Sequence, residues 1–135
     1  GVYYVNDSKA TNIGALEAAL GGCESPVVLI AGGRDKASDF TLLRAVVSRK
    51  VKHLVLVGEA AGLMEAALGS VVTTELAMTM EDAVRRAMAA ASSGDIVLLA
   101  PGCASFEKFS GYAERGRNFA EHVMHLALER EAAGQ

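Results

Sequence analysis

The chain has 135 residues, 51% hydrophobic and 21% charged, with a formal net charge of -3. That length fits one domain with a real core, and the composition is that of an ordinary soluble globular protein. Its 13 Lys and Arg against 16 Asp and Glu form no basic stripe, which argues against a nucleic-acid surface, and no apolar run approaches the ~20 residues of a membrane span. No signal-peptide pattern opens the sequence. Two cysteines, Cys23 and Cys103, make no disulfide framework, so a reducing, cytoplasmic setting is expected.

In chain order, Val2 to Val5 reads as a short strand ending at Asn6-Asp7. Ile13, Leu16 and Leu20 then follow helical spacing behind a Thr11 or Asn12 cap. Val27 to Ala31 is a strand that ends at Gly32-Gly33. Leu42, Leu43, Val46 and Val47 form the next helical stripe. Val51 to Val57 is a strand ending at Gly58, and Leu63, Met64, Ala67 and Leu68 make a third stripe. Ser70 to Thr74 is a weaker strand candidate. Ala83, Val84, Ala87 and Met88 give a fourth helix. Ile96 to Ala100 is a strand ending at Pro101-Gly102, and Phe119, Val123 and Leu126 mark the last helix. The tail from Glu129 to Gln135 reads as frayed.

Near-continuous apolar strands indicate burial on both faces, and their alternation with helices indicates βαβ units. The expected fold is therefore α/β: a single Rossmann-like, three-layer domain over residues 1–135, its mostly parallel sheet flanked by helices. His122 and His125 stand three apart on a predicted helix without a zinc-spaced acidic or cysteine partner, so they read as solvated or packed.

A parallel sheet gathers the loops that follow its strands along one edge. Three of these loops are chemically unusual. Asn6-Asp-Ser-Lys-Ala-Thr-Asn12 crowds a carboxylate, an ammonium and two hydroxyls into a helix entry, more than a cap requires. Gly32-Gly-Arg-Asp-Lys-Ala-Ser-Asp-Phe40 turns sharply off its strand and brings Lys36 near a helix start, where an ammonium and helix amides suit a carboxylate or phosphate. Asp39 is the candidate cap. The third loop, from Pro101 to Phe119, carries Ser105, Lys108, Tyr112 and Arg115, none of which a core needs. Gly116 within a helical pattern costs about 1 kcal/mol against alanine and so marks a close approach. Cys103 has no histidine placed to activate it and reads as a small buried thiol.

Together the three loops resemble the C-terminal domain of the Mur ligase family, and within it the D-glutamate-adding branch. The matching stretches are Asn6 to Asn12, Gly32-Gly-Arg-Asp-Lys36 with Asp39-Phe40, and Leu98 to Phe106 followed by Phe109, Tyr112 and Glu114-Arg-Gly116. The resemblance runs from Val2 to about Leu128. Ala100 and Gly102 stand where the family often has serine and alanine, and Tyr112 where phenylalanine is usual. The Asp-Asn-Pro-Arg sequence of the diaminopimelate-adding branch is absent, which favours D-glutamate as acceptor.

The resemblance implies an ATP-dependent ligase of peptidoglycan-precursor synthesis. ATP phosphorylates the carboxylate of UDP-N-acetylmuramoyl-L-alanine, and the D-glutamate amine attacks the acyl phosphate. It implies that Thr11 and Lys36 hold one carboxylate of D-glutamate, and Ser105 with Tyr112 the other. Asp7 would meet the ATP ribose, and Lys9 would lie near the phosphates. ATP and Mg2+ would serve the complete enzyme and be held tightly by none of these residues alone. No G-x-x-x-x-G-K-[ST] phosphate loop occurs in the sequence. The chain is thus expected to be the C-terminal, acceptor-binding domain, without the ATP-binding central and UDP-binding N-terminal domains, in contact with the central one and inactive alone. The competing expectation is a free-standing Rossmann-like module for a small anion or nucleotide.

Overall fold

The computed structural model describes residues 1–34, 38–104 and 110–134. Five parallel strands form one sheet: β1 (Tyr3–Asn6), β2 (Val27–Ala31), β3 (Val51–Val57), β4 (Thr74–Ala77) and β5 (Ile96–Leu99), in the order β1-β5-β2-β3-β4. The helices are α1 (Ile13–Gly21), α2 (Arg44–Lys50), α3 (Ala61–Leu68), α4 (Met80–Ala90) and α5 (Tyr112–Ala132), and a 3-10 turn, Phe40–Leu43, runs into α2.

Strand periodicity divides the core into two sheets of contacts. Val27, Leu29 and Ala31 of β2 point to one face, where they join Leu54, Leu56 and Leu98 beneath α1, α2 and α3. Val28 and Ile30 point to the other, with Val55, Val57, Val97 and Leu99 beneath α4 and α5. Every residue of β2 is buried, which is why its sequence is an unbroken apolar run. The three-layer α/β expectation is met.

The elements begin where local chemistry predicts. Asn12, not Thr11, caps α1: its side chain accepts from the Ala15 amide at 2.8 Å. Asp39 caps the 3-10 turn through the Thr41 amide at 3.1 Å. Two boundaries depart from the sequence reading. The fourth strand is Thr74–Ala77, not Ser70 to Thr74. Val71 and Val72 instead close the end of α3, where their amides donate to the Leu68 carbonyl. β4 is an edge strand whose pairing is partly polar: Glu75 meets His53 of β3 at 2.6 Å and Arg86 of α4 at 3.1 Å. The last helix continues through Ala132, beyond the expected fraying point, and Glu129 lies 3.7 Å from Arg85 of α4.

Gly32 shows how tightly the chain leaves β2. Its φ is +117, and an added Cβ would stand 2.0 Å from the Val57 carbonyl oxygen at the end of β3. Both the torsion and the backbone contact exclude a side chain. Gly62, inside α3, has nothing within 4 Å of such an atom. Gly32→Ala should therefore cost about 3 kcal/mol or more in urea unfolding, whereas Gly62→Ala should gain roughly 0.5–1 kcal/mol from helix propensity. Equal effects of the two substitutions would contradict this chain path.

Candidate functional site

The sheet order places β1, β5 and β2 side by side, so the three unusual loops leave neighbouring strands on one edge. The first is fixed by its own polar groups. Asn6 ends β1. Its Oδ1 accepts from the Ser8 amide at 3.3 Å, and its Nδ2 donates to the Gly116 carbonyl of α5 at 2.9 Å. The Asp7 amide donates to the Leu99 carbonyl at 2.8 Å and extends the β1–β5 ladder by one rung. Ser8 is turned inward and buried. Its Oγ donates to the Tyr112 carbonyl at 2.6 Å.

Arg115 reaches this loop from the first turn of α5, and its residue is only 1% exposed. Nε donates to Ser8 Oγ at 3.0 Å and Nη2 to the Ser8 carbonyl at 2.8 Å, while Nη1 donates to the Cys103 carbonyl at 3.2 Å. The second loop runs close to the same group: a Cβ on Gly33 would lie 3.1 Å from Nη1. Among the described residues no carboxylate forms a salt bridge with Arg115. Burial pushes its guanidinium down from the ordinary arginine range to about 10, so it remains charged at neutral pH. With the folded value below the unfolded one, the unfolded chain holds the extra proton between those values. The stability set by this group therefore rises as pH climbs from about 10 towards the ordinary arginine range.

Backbone bonds stitch the loops to one another. The Gly32 amide donates to the Pro101 carbonyl at 3.0 Å, and the Arg34 amide to the Ala104 carbonyl at 2.9 Å in an antiparallel bridge. The Gly102 amide donates to the Ala10 carbonyl at 2.8 Å. Gly116 is the close approach that its position in the helix predicted: an added Cβ would meet Asn6 Oδ1 and Ser8 Cβ at 3.1 Å. Glu114 steadies the start of α5, its carboxylate accepting from the Ser110 hydroxyl at 2.8 Å and amide at 3.3 Å. Those bonds hold its carboxyl below the usual range, the hydroxyl contributing most.

A cleft of about 520 Å³ opens between the first loop and α5, lined by Asn6, Ser8, Lys9, Tyr112, Ala113, Gly116, Arg117 and Ala120. Of the residues singled out from the sequence, it brings Lys9 and Tyr112 together. Both are exposed there, Tyr112 at 52%. Asp7 is partly buried beside Ser8, and Thr11 is partly buried one residue before the cap of α1. Neither Asp7 nor Thr11 lines the cleft. Lys36 and Ser105 fall outside the described residues. Cys103 is a buried thiol, as its surroundings in sequence suggested. Among the described residues no three potential metal ligands cluster. The tasks of Ser8, Asn6 and Arg115 do not follow from their motif alone. The available signal was Arg115-Gly116 itself, a charged residue followed by a helix-disfavouring glycine, both on the buried side of α5.

Comparison with known proteins adds a second line. The family described as the glutamate ligase domain of Mur ligases matches residues 1–103. A UDP-N-acetylmuramoylalanine--D-glutamate ligase of Methylococcus capsulatus is 53% identical over 127 residues, covering 94% of this chain and 28% of its own length. Proteins of the same name from Syntrophotalea carbinolica and Bordetella avium are 44% and 47% identical, over 93% and 96% of this chain and 28% and 26% of theirs. The chain thus spans little more than a quarter of these relatives. Alignments of that extent include α5, which lies beyond the family match.

Arg115→Lys keeps a charge to be buried but cannot reach all three acceptors. Two lost charge-assisted bonds should cost about 3 kcal/mol or more in urea unfolding. Arg115→Met leaves all three acceptors unmet but removes the buried charge, so its cost should be of the same order as that of the lysine variant. A harmless Arg115→Lys would show that the guanidinium does not hold these loops.

Proposed function

The chain belongs to the Mur ligase glutamate ligase domain family, and on that premise we propose that it is the C-terminal, acceptor-binding domain of an ATP-dependent ligase that joins D-glutamate to UDP-N-acetylmuramoyl-L-alanine in peptidoglycan-precursor synthesis. The observation that carries this reading is the joining of the loops after β1 and β5 by the Arg115 guanidinium, with the loop after β2 bonded to the latter, beside a cleft lined by Lys9 and Tyr112. The relatives named above bear the corresponding activity in their names. No helix among the described residues is long and apolar enough to cross a membrane; on this reading the domain works in the cytoplasm on nucleotide-linked substrates.

In this reading the domain binds and orients the acceptor. Lys36 and Thr11 clamp one carboxylate of D-glutamate, and Ser105 and Tyr112 the other, presenting the amine to the activated alanine carboxylate. Fixing two carboxylates removes rotational freedom before the attack, the usual gain from proximity and orientation. Asp7 takes the ATP ribose and Lys9 stands near the phosphates, where an exposed ammonium without an ion-pair partner among the described residues is suited to an anion. The nucleotide brings a transferable phosphoryl group and its magnesium, for which the described residues show no ligand cluster. The central domain, which this domain would contact, supplies the phosphate loop that the sequence lacks. A free-standing binding module is the weaker reading, since ligases match this chain over nine-tenths of its length.

The test is steady-state kinetics of the complete ligase. Lys36→Ala should lower kcat/KM for D-glutamate about ten- to a hundredfold, the worth of a charge-assisted hydrogen bond, and change the KM for ATP less. Ser105→Ala should follow the same pattern with a smaller loss, because a neutral hydroxyl contributes about 0.5–1.5 kcal/mol. An unchanged kcat/KM for D-glutamate in Lys36→Ala would remove the acceptor clamp.

A further inference from the structure

Ser8 sits between Asp7 and Lys9, yet its side chain alone of the three is buried. A hydroxyl has one proton to give and lone pairs to receive. Arg115 Nε can only donate, so at 3.0 Å it fixes Ser8 Oγ as its acceptor. The Ser8 proton is thereby committed to the Tyr112 carbonyl at 2.6 Å. Tyr112 is the first residue of α5, and both it and Lys9 line the cleft. One hydroxyl thus joins the loop carrying Asp7 and Lys9 to the residue that opens α5. Arg115 carries the same link onward to the Cys103 carbonyl of the third loop.

The close packing of Gly116 against Ser8 Cβ, 3.1 Å from where its own Cβ would be, leaves the loop little room to shift without α5. We propose that Ser8 is a positioning residue whose hydroxyl makes the nucleotide-facing loop and the acceptor-facing start of α5 one body, so that ATP and D-glutamate bind with positive coupling. The inference rests on the function proposed above and adds a residue and a reciprocal effect to it. A ligand that fixes the placement of Lys9 and Asp7 fixes that of Tyr112 with it, and the second ligand then meets a site already placed. Neither Asp7 nor Lys9 can act in this way, since neither side chain is bonded to α5 among the described residues.

The experiment is calorimetry on the complete ligase at saturating UDP-N-acetylmuramoyl-L-alanine. The Kd of D-glutamate is measured with and without a non-hydrolysable ATP analogue, and the Kd of the analogue with and without D-glutamate. In the unaltered enzyme each ligand should tighten the other by the same factor, about fivefold or more. In Ser8→Ala both should still bind, but the factor should fall clearly below that of the unaltered enzyme, since the Asn6–Gly116 and Arg115–Ser8 carbonyl bonds remain. A merely structural role would weaken the separate affinities and leave their ratio intact. Ser8→Cys, which is slightly larger and keeps a weaker donor, should show a reduced factor and carries the test if Ser8→Ala does not fold. A retained factor in the Ser8 variants, or none in the unaltered enzyme although both ligands bind, overturns the coupling alone. Failure of the unaltered enzyme to bind either ligand overturns the proposed function and this inference with it.

Discussion

Arg115 buries a guanidinium without a carboxylate partner among the described residues, and such a group is tolerable only where hydrogen bonds replace its water. The bonds it finds belong to loops, not to helices or strands: the hydroxyl and carbonyl of Ser8, and the carbonyl of Cys103. A planar fork with five donors can satisfy acceptors in different directions at once, which an ammonium on a flexible stem cannot. The neighbouring Gly116 is the complement of this arrangement. A side chain there would stand 3.1 Å from Asn6 Oδ1 and Ser8 Cβ, so its absence lets α5 lie close against the loop whose Ser8 the guanidinium bonds.

The order of the sheet explains why this joint must come from the end of the chain. β5 is the last strand in sequence, yet it lies between β1 and β2. Until it is inserted, the first loop has no neighbour for its Asp7 amide and the second has no Pro101 or Ala104 carbonyl. α5 then packs on α4 and against β1 and delivers Arg115 to the edge that β5 has completed. The two apolar cores, one on each face of the sheet, hold the layers together. The carboxyl edge is left to polar contacts, and a site built on such a braced edge keeps its geometry better than one on free loops.

Much of this was legible in the residues. Val27–Ala31 and Val51–Val57 are continuous apolar runs because both faces of the central strands are covered, and their limits were read correctly. A hydrophobic reading places β4 too early, since Val71 and Val72 outrank Glu75 in it. The edge strand is held partly by the His53–Glu75–Arg86 contacts, which leave no apolar pattern. The end of α5 was missed for a related reason: its last turns are exposed, and the side chains that meet α4 there are charged. The three loops were found because their polar density exceeds what capping needs. The part of Arg115 was hidden, as an arginine in a helical stripe reads as a solvated face. Only the tertiary placement of Ser8 and Cys103, 107 and 12 residues away, turns it inward.

Amide hydrogen exchange on Arg115→Lys tests most directly whether the guanidinium holds the edge together. The amides of Asp7, Gly32, Arg34 and Gly102 are bonded across loops or from loop to strand, whereas those of β2 and β3 lie inside the sheet. If the account is right, the first group loses protection in the variant while β2 and β3 keep theirs, under conditions where the domain remains folded. Unchanged protection at Arg34 and Gly102 would contradict it, as would a loss spread evenly over loops and central strands.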